Sequence, residues 1–197
     1  EDLKKYKVLF YPHGVILTKE RVALLEEYVT LGGTLVMGCR TGYKDISGKC
    51  VMDYLPGLAT KLTGTDVYEY SLTAPDEEAV YVDWEGDRIE AAVFNDLLKP
   101  VDNGQIVGNY VNSYYEGAAG LIKNQLGKGC VYYFGGAFTV EAVKSFLKKL
   151  DVCSPYKDII QVPENCEIAV RRKGKDRYLF VLNYSKEKAY IRLFKEM

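Results

Sequence analysis

Cys39 and the single histidine, His13, are the side chains in this 197-residue chain best suited to covalent chemistry. A cysteine nucleophile needs a base within hydrogen-bond reach. Each residue follows a short apolar run, Lys7–Tyr11 before His13 and Thr34–Met37 before Cys39. The carboxyl ends of strands are where open α/β sheets carry reactive groups. A small hydrolase using Cys39 is therefore one reading. Against it, Met37-Gly38-Cys39-Arg40-Thr41-Gly42 leads into a polar loop instead of turning tightly into a helix. That context favours a buried, inert thiol and a loop histidine.

Gly127-Lys128-Gly129 has the composition of a phosphate loop but precedes an apolar run, with no helix start after it, so it reads as a hairpin turn. The 17 tyrosines raise a second chemistry, stacking on sugars. Tyr110, Tyr114 and Tyr115 cluster around Asn112 and Ser113, and Asp83-Trp84-Glu85 lies at a turn. Aromatics beside polar groups suit a carbohydrate-binding accessory module and a protein interface alike. Carboxylates sit in turns and on helix faces, and spacing picks out no acid and nucleophile pair. The five cysteines (Cys39, Cys50, Cys130, Cys153 and Cys166) are odd in number, without a CxxC or His-paired spacing. Neither a disulfide framework nor a metal site is expected, and reduced thiols point to a cytoplasmic setting.

These residues must be positioned by alternating elements. Lys7–Tyr11 reads as a strand buried on both faces. The segment from Glu20 to Leu31 reads as a helix with Thr18 as its N-cap and Gly32-Gly33 as its stop. Val22, Leu25 and Val29, with Leu24, Tyr28 and Leu31, form its apolar stripe. Thr34–Met37 is then a second buried strand, completing a parallel βαβ unit. Short helical turns are expected over 52–55 and 57–62.

From Thr65 the period changes to two, with strands through Val67–Tyr70, Val80–Val82 and Ile89–Phe94, then Gln105–Gly108 and Ala119–Ile122. Cys130–Gly135 is the third buried parallel strand. A helix follows over Val140–Leu150, with Val143, Phe146 and Leu147 turned inward. Asp151–Glu164 holds two prolines and reads as a linker. Three strands of a meander follow, over 167–172, 178–183 and 189–193.

The charge sum of 26 basic and 27 acidic residues gives −1, which argues against nucleic acid and a polybasic membrane patch as partners. No apolar run reaches the 18 residues of a membrane span, and residues 1–6 are not a signal peptide. Glu1 opens directly onto a strand, and Phe194–Met197 stops in mid-pattern. The chain is therefore expected to be a fragment, with one bare sheet edge.

Several pieces together resemble the trimerisation domain of glycoside hydrolase family 42 β-galactosidases. They are Leu3–Val8 leading to Pro12, Glu27-Tyr28-Val29, Gly32–Val36, and Asn124–Gly135 (NQLGKGCVYYFG). Arg171-Arg172 followed by Tyr178–Tyr184 resembles the start of that family's small C-terminal β-domain. The similarity is weakest over 74–115.

The resemblance implies a flavodoxin-like, class I glutamine-amidotransferase-like fold with a mostly parallel sheet, a β-rich insertion and a following small antiparallel β-domain. The bounds expected are 1–152 for the trimerisation domain, lacking its first βα unit, 153–164 for a linker, and 165–197 for part of the β-domain. It further implies a non-catalytic assembly role in a homotrimer. The parent enzyme would hydrolyse terminal β-D-galactosides with two glutamates on an upstream (β/α)₈ barrel. No catalytic, cofactor-binding or metal-binding residue is carried onto this chain.

Overall fold

The computed structural model describes residues 2–74 and 76–194. Glu1 and 195–197, on which the reading of the chain ends partly rests, lie outside the described residues. The chain divides at Leu150–Asp151 into two compact units.

In the first unit, β1 (Val8–Tyr11), α1 (Lys19–Thr30) and β2 (Thr34–Gly38) form the expected βαβ unit. Thr18 caps α1, its hydroxyl oxygen accepting from the Arg21 N–H at 3.2 Å, which satisfies one donor of the open first turn. At the other end Gly32 takes φ +117°, a backbone open to glycine and strained for other residues. Leu25, Tyr28 and Val29 are buried, whereas Leu24 and Leu31, expected on the same stripe, are exposed. A short helical stretch ends in α2 (Thr60–Thr63).

Six antiparallel-paired strands follow: β3 (Thr65–Leu72), β4 (Tyr81–Trp84), β5 (Asp87–Glu90), β6 (Phe94–Pro100), β7 (Gln105–Tyr110) and β8 (Ala119–Leu126). Then come β9 (Gly129–Phe134) and α3 (Val140–Lys149). The strand expected over Ile89–Phe94 is broken. Val93 has φ +59° and Ala92 bridges to Ala137, so β5 stops at Glu90 and β6 starts at Phe94.

One nine-stranded sheet results, ordered β1-β2-β9-β8-β7-β4-β5, with β6 on β8 and β3 on β6. Among the described strands only β1, β2 and β9 are parallel, in the register Leu9, Leu35, Val131. The sheet is thus mixed, which corrects the mostly parallel one expected. The reason is in the connections: parallel pairs need a long crossover, whereas tight turns such as Glu85-Gly86 and Gly127-Lys128 return the chain antiparallel. The same ordering places β1 at an edge, paired only with β2 among the described residues.

Both faces of the parallel strands are covered, which is why their runs are apolar throughout. Leu35, Met37, Val131 and Tyr133 pack with α1 through Leu25, Tyr28 and Val29. The alternate residues Val36, Tyr132 and Phe134 pack with Ala142 and Phe146 of α3, and with Trp84 and Tyr110.

In the second unit, β10 (Ile160–Gln161), β11 (Cys166–Lys173), β12 (Asp176–Asn183) and β13 (Arg192–Leu193) pair in two ladders. β11 and β12 form an antiparallel hairpin turning at Gly174, φ +61°. The expected third meander strand does not join them. Arg192–Leu193 pairs with Ile160–Gln161, inside the segment read as linker. Asn183 Nδ2 donates to the Glu187 carbonyl at 2.7 Å, curling the chain into a loop after β12 instead of turning it back as a strand.

Candidate functional site

The residues singled out for covalent chemistry do meet. β1 and β2 end side by side, and Gly38 at the end of β2 carries no side chain. A Cβ there would meet the Phe138 ring at 2.7 Å and His13 at 3.3 Å. His13, with φ +52°, turns its ring back over the strand ends. Its Nδ1 lies 3.1 Å from the Cys39 carbonyl oxygen and 3.5 Å from Cys39 Sγ. Its Nε2 lies 3.5 Å from the Phe138 amide nitrogen.

These partners set the ring's proton. A carbonyl only accepts and an amide N–H only donates, so the proton sits on Nδ1 and the lone pair on Nε2 faces Phe138. The nitrogen nearest the thiol is therefore not a base. Cys39 itself is 1% exposed. Burial, followed by the nearby Asp96 carboxylate, pushes its pKa far above the ordinary thiol range. The pair is assembled in space without being activated, so the amidotransferase-like hydrolase reading is not favoured.

Beside it lies a polar cluster that the sequence reading missed. Asp96, fully buried on β6, accepts from the Tyr43 hydroxyl at 2.8 Å, the Tyr133 hydroxyl at 2.8 Å and the Arg40 amide at 3.0 Å. Its backbone is held as well: its N–H donates to the Gly135 carbonyl at 2.8 Å, and its carbonyl accepts from Tyr110 at 2.9 Å. Burial raises the Asp96 pKa, and the hydrogen bonds from Tyr43, Arg40 and Tyr133 oppose that rise. The one available signal was a polar Asn95-Asp96 pair between Phe94 and Leu97-Leu98. Asp96 ties the loop after β2 to β6 and β9. Over this loop the Arg40 guanidinium sits 4.4 Å from the Phe94 ring centre and 5.3 Å from that of Tyr43.

The remaining sequence candidates are structural. Gly127-Lys128 is the turn of the β8–β9 hairpin, and a Cβ at Gly129 would collide with the Gly33 and Val29 carbonyls. The tyrosine cluster is not a sugar platform: Tyr110 and Tyr115 are buried edge to face at 4.9 Å, and only Tyr114 is exposed. Asn112 is used up between the Tyr81 amide and the Ala79 carbonyl, and Ser113 Oγ lies 3.4 Å from the Tyr115 amide. Trp84 is core, packed on Tyr132 and Phe146, while Asp83 closes the turn through the Gly86 amide and Glu85 faces Lys149. The carbohydrate-module reading therefore loses these residues as its surface. All five cysteines are free thiols. Among the described residues no group of three or more His, Cys, Asp or Glu side chains is placed to hold a metal ion.

Comparison with known proteins places this geometry in context. The family described as "Beta-galactosidase trimerisation domain" matches residues 1–152. The β-galactosidase BgaA of Clostridium cellulovorans is 30% identical over 192 residues, covering 95% of this chain and 28% of that protein. The β-galactosidase Pbg of Clostridium perfringens is 29% identical over 199 residues, covering 96% of this chain and 29% of that protein. Among solved structures, Gan42B, a GH42 β-galactosidase from G. stearothermophilus, superposes with a TM-score of 0.83 at 23% identity, covering 99% of this chain and 28% of that one. The chain thus spans under a third of the length of these proteins.

Proposed function

The chain belongs to the β-galactosidase trimerisation domain family, and from that premise we propose that it assembles a glycoside hydrolase and does no chemistry itself. The observation that carries this reading is the family match over 1–152, on a chain whose thiol and imidazole meet at the strand ends without activation. In this proposal the catalytic carboxylates lie outside residues 1–197, on an upstream (β/α)₈ barrel of the same polypeptide, which cleaves terminal β-D-galactosides in the cytoplasm. Three copies associate through the domain at 1–152. Residues 153–159 link it to a β-domain that takes in β10 at Ile160–Gln161.

The finer ancestry belongs to the same proposal. The β1-α1-β2 unit, with Cys39 and His13 at its strand ends, is what a class I amidotransferase-like, flavodoxin-like core retains after losing its nucleophile. A retaining glycosidase needs two carboxyl groups about 5–5.5 Å apart, one of them protonated. Asp96, the buried carboxyl of the strand-end cluster, is enclosed by tyrosines instead.

The test is turnover of a chromogenic β-galactoside by the 197-residue chain beside the natural full-length protein. Turnover is expected only from the latter. Activity in the 197-residue chain that survives repurification and falls on substituting one of its own Asp or Glu residues overturns the reading.

A further inference from the structure

The face of the first unit that carries Asp96 also carries a run of exposed apolar side chains. Ile46, Met52, Tyr54, Tyr68, Tyr70 and Leu72 are all exposed, Met52 to 93% and Tyr54 to 71%. They are contiguous. The hollow between the start of α1 and the loop over 42–58 shares Met52 and Asp53 with a second hollow that reaches Tyr68. The second shares Leu55, Val67 and Tyr68 with a third that ends at Tyr70. Leu72 continues the row two residues further along β3, which among the described residues is an edge strand paired only with β6.

The row is braced at Tyr70. Tyr70 stacks on Phe94 with ring centres 5.0 Å apart and planes at 16°. Tyr43 lies edge-on to both rings at 6.3–6.4 Å and is anchored below by its hydrogen bond to Asp96. At the rim, the Arg40 guanidinium rests on Phe94 and pairs with no carboxylate among the described residues. A stacked arginine beside aromatics is the composition of an interface hot spot.

The geometry points to this belt as the surface on which a second copy of the chain seats, with a carboxylate of that copy meeting Arg40. The inference rests on the assembly reading above and locates it. Six such side chains offer on the order of 800 Å², which is what one partner buries in a standard interface and more than the largest patch on a typical monomer. The whole belt falls within 1–152, the span matched as a trimerisation domain. In a closed three-fold ring each copy meets the next through two different patches, so the belt and the surface that receives it are distinct. Lys44, Asp45 and Asp53 line the same hollow as Ile46 and Met52 and give the belt a mixed polar rim.

The test uses sedimentation velocity on the natural full-length protein carrying these residues. The variants are the double substitution Met52→Asp with Tyr54→Asp, then Arg40→Glu and Arg40→Lys. Val140→Asp serves as control, because Val140 is equally exposed but sits on α3, against the other face of the sheet. Met52 and Tyr54 contribute little to the fold of a single copy, so unchanged circular dichroism melting is expected for their variant. The trimer is expected to weaken at least 100-fold in the double variant and in Arg40→Glu, less in Arg40→Lys, and not at all in Val140→Asp. A photo-crosslinker at Met52 is expected to join two chains. If the double variant associates within twofold of the parent, or the crosslink stays within one chain, the belt is not the contact although the assembly reading stands. If the parent protein is itself monomeric, that reading fails and takes the belt with it.

Discussion

The Tyr43 hydroxyl donates to Asp96 Oδ1 at 2.8 Å, and this bond joins the loop after β2 to the middle of the sheet. The Tyr133 hydroxyl and the Arg40 amide complete a three-donor cage around the same carboxyl. Substituting Asp96→Ala orphans all three donors in a dry site. A loss of about 3 kcal/mol in unfolding free energy is expected, read from the urea midpoint at unchanged slope. A change below about 0.5 kcal/mol would show that the cage is not strained by losing its acceptor.

The same carboxyl gives the fold a pH signature. Burial raises the folded-state pKa of Asp96 above its unfolded value. The folded state therefore binds more protons in the window between the two values, and stability falls as pH rises through it. The contribution is complete below about pH 4 and declines above, by up to about 1.4 kcal/mol per pH unit. Glu20 and Asp87 have lowered pKa values and slope the other way, so the clean readout is parent minus Asp96→Asn. That difference is expected to fall with rising pH; a difference that rises contradicts the sign.

Thiol chemistry separates an inert Cys39 from a nucleophile. Cys50 and Cys153 are exposed and are expected to alkylate at ordinary rates, with Cys39 at least about 100-fold slower until the chain is unfolded. Peptide mass spectrometry after timed iodoacetamide labelling reads this directly. Rapid labelling of folded Cys39 would restore the hydrolase reading.

Phe146 is the hub of the second face of the core, with ring centres 5.3 Å from Trp84, 5.5 Å from Phe134 and 6.2 Å from Phe10. Phe146→Ala is expected to cost about 3–5 kcal/mol and to shift the emission of the lone Trp84. An unshifted spectrum would mean that α3 does not cover this face.

The βαβ opening was legible because each of its parts has a local cause: unbroken apolar runs, a threonine cap and a paired-glycine stop. The Gly127-Lys128 turn was legible for the same reason. Three features were not. β6 carries Asn95 and Asp96 where a strand pattern asks for apolar residues, because its buried positions are filled by a hydrogen-bonded cluster drawn from 53, 37 and 20 residues away. The break at Val93 is a backbone state that a β-branched residue rarely adopts, so local preference argued against it. The pairing of Arg192–Leu193 with Ile160–Gln161 is a contact across the whole second unit that no period reveals. The Cys39–His13 meeting was legible as proximity, but its chemistry depended on the Phe138 amide, 125 residues from His13.

The most direct measurement is the mass of the 197-residue chain in solution by sedimentation equilibrium. A chain of 22.2 kDa that carries an assembly domain is expected to reach three copies at about 100 μM, where a contact of micromolar affinity is saturated. A mass that stays at one copy over that range contradicts the account.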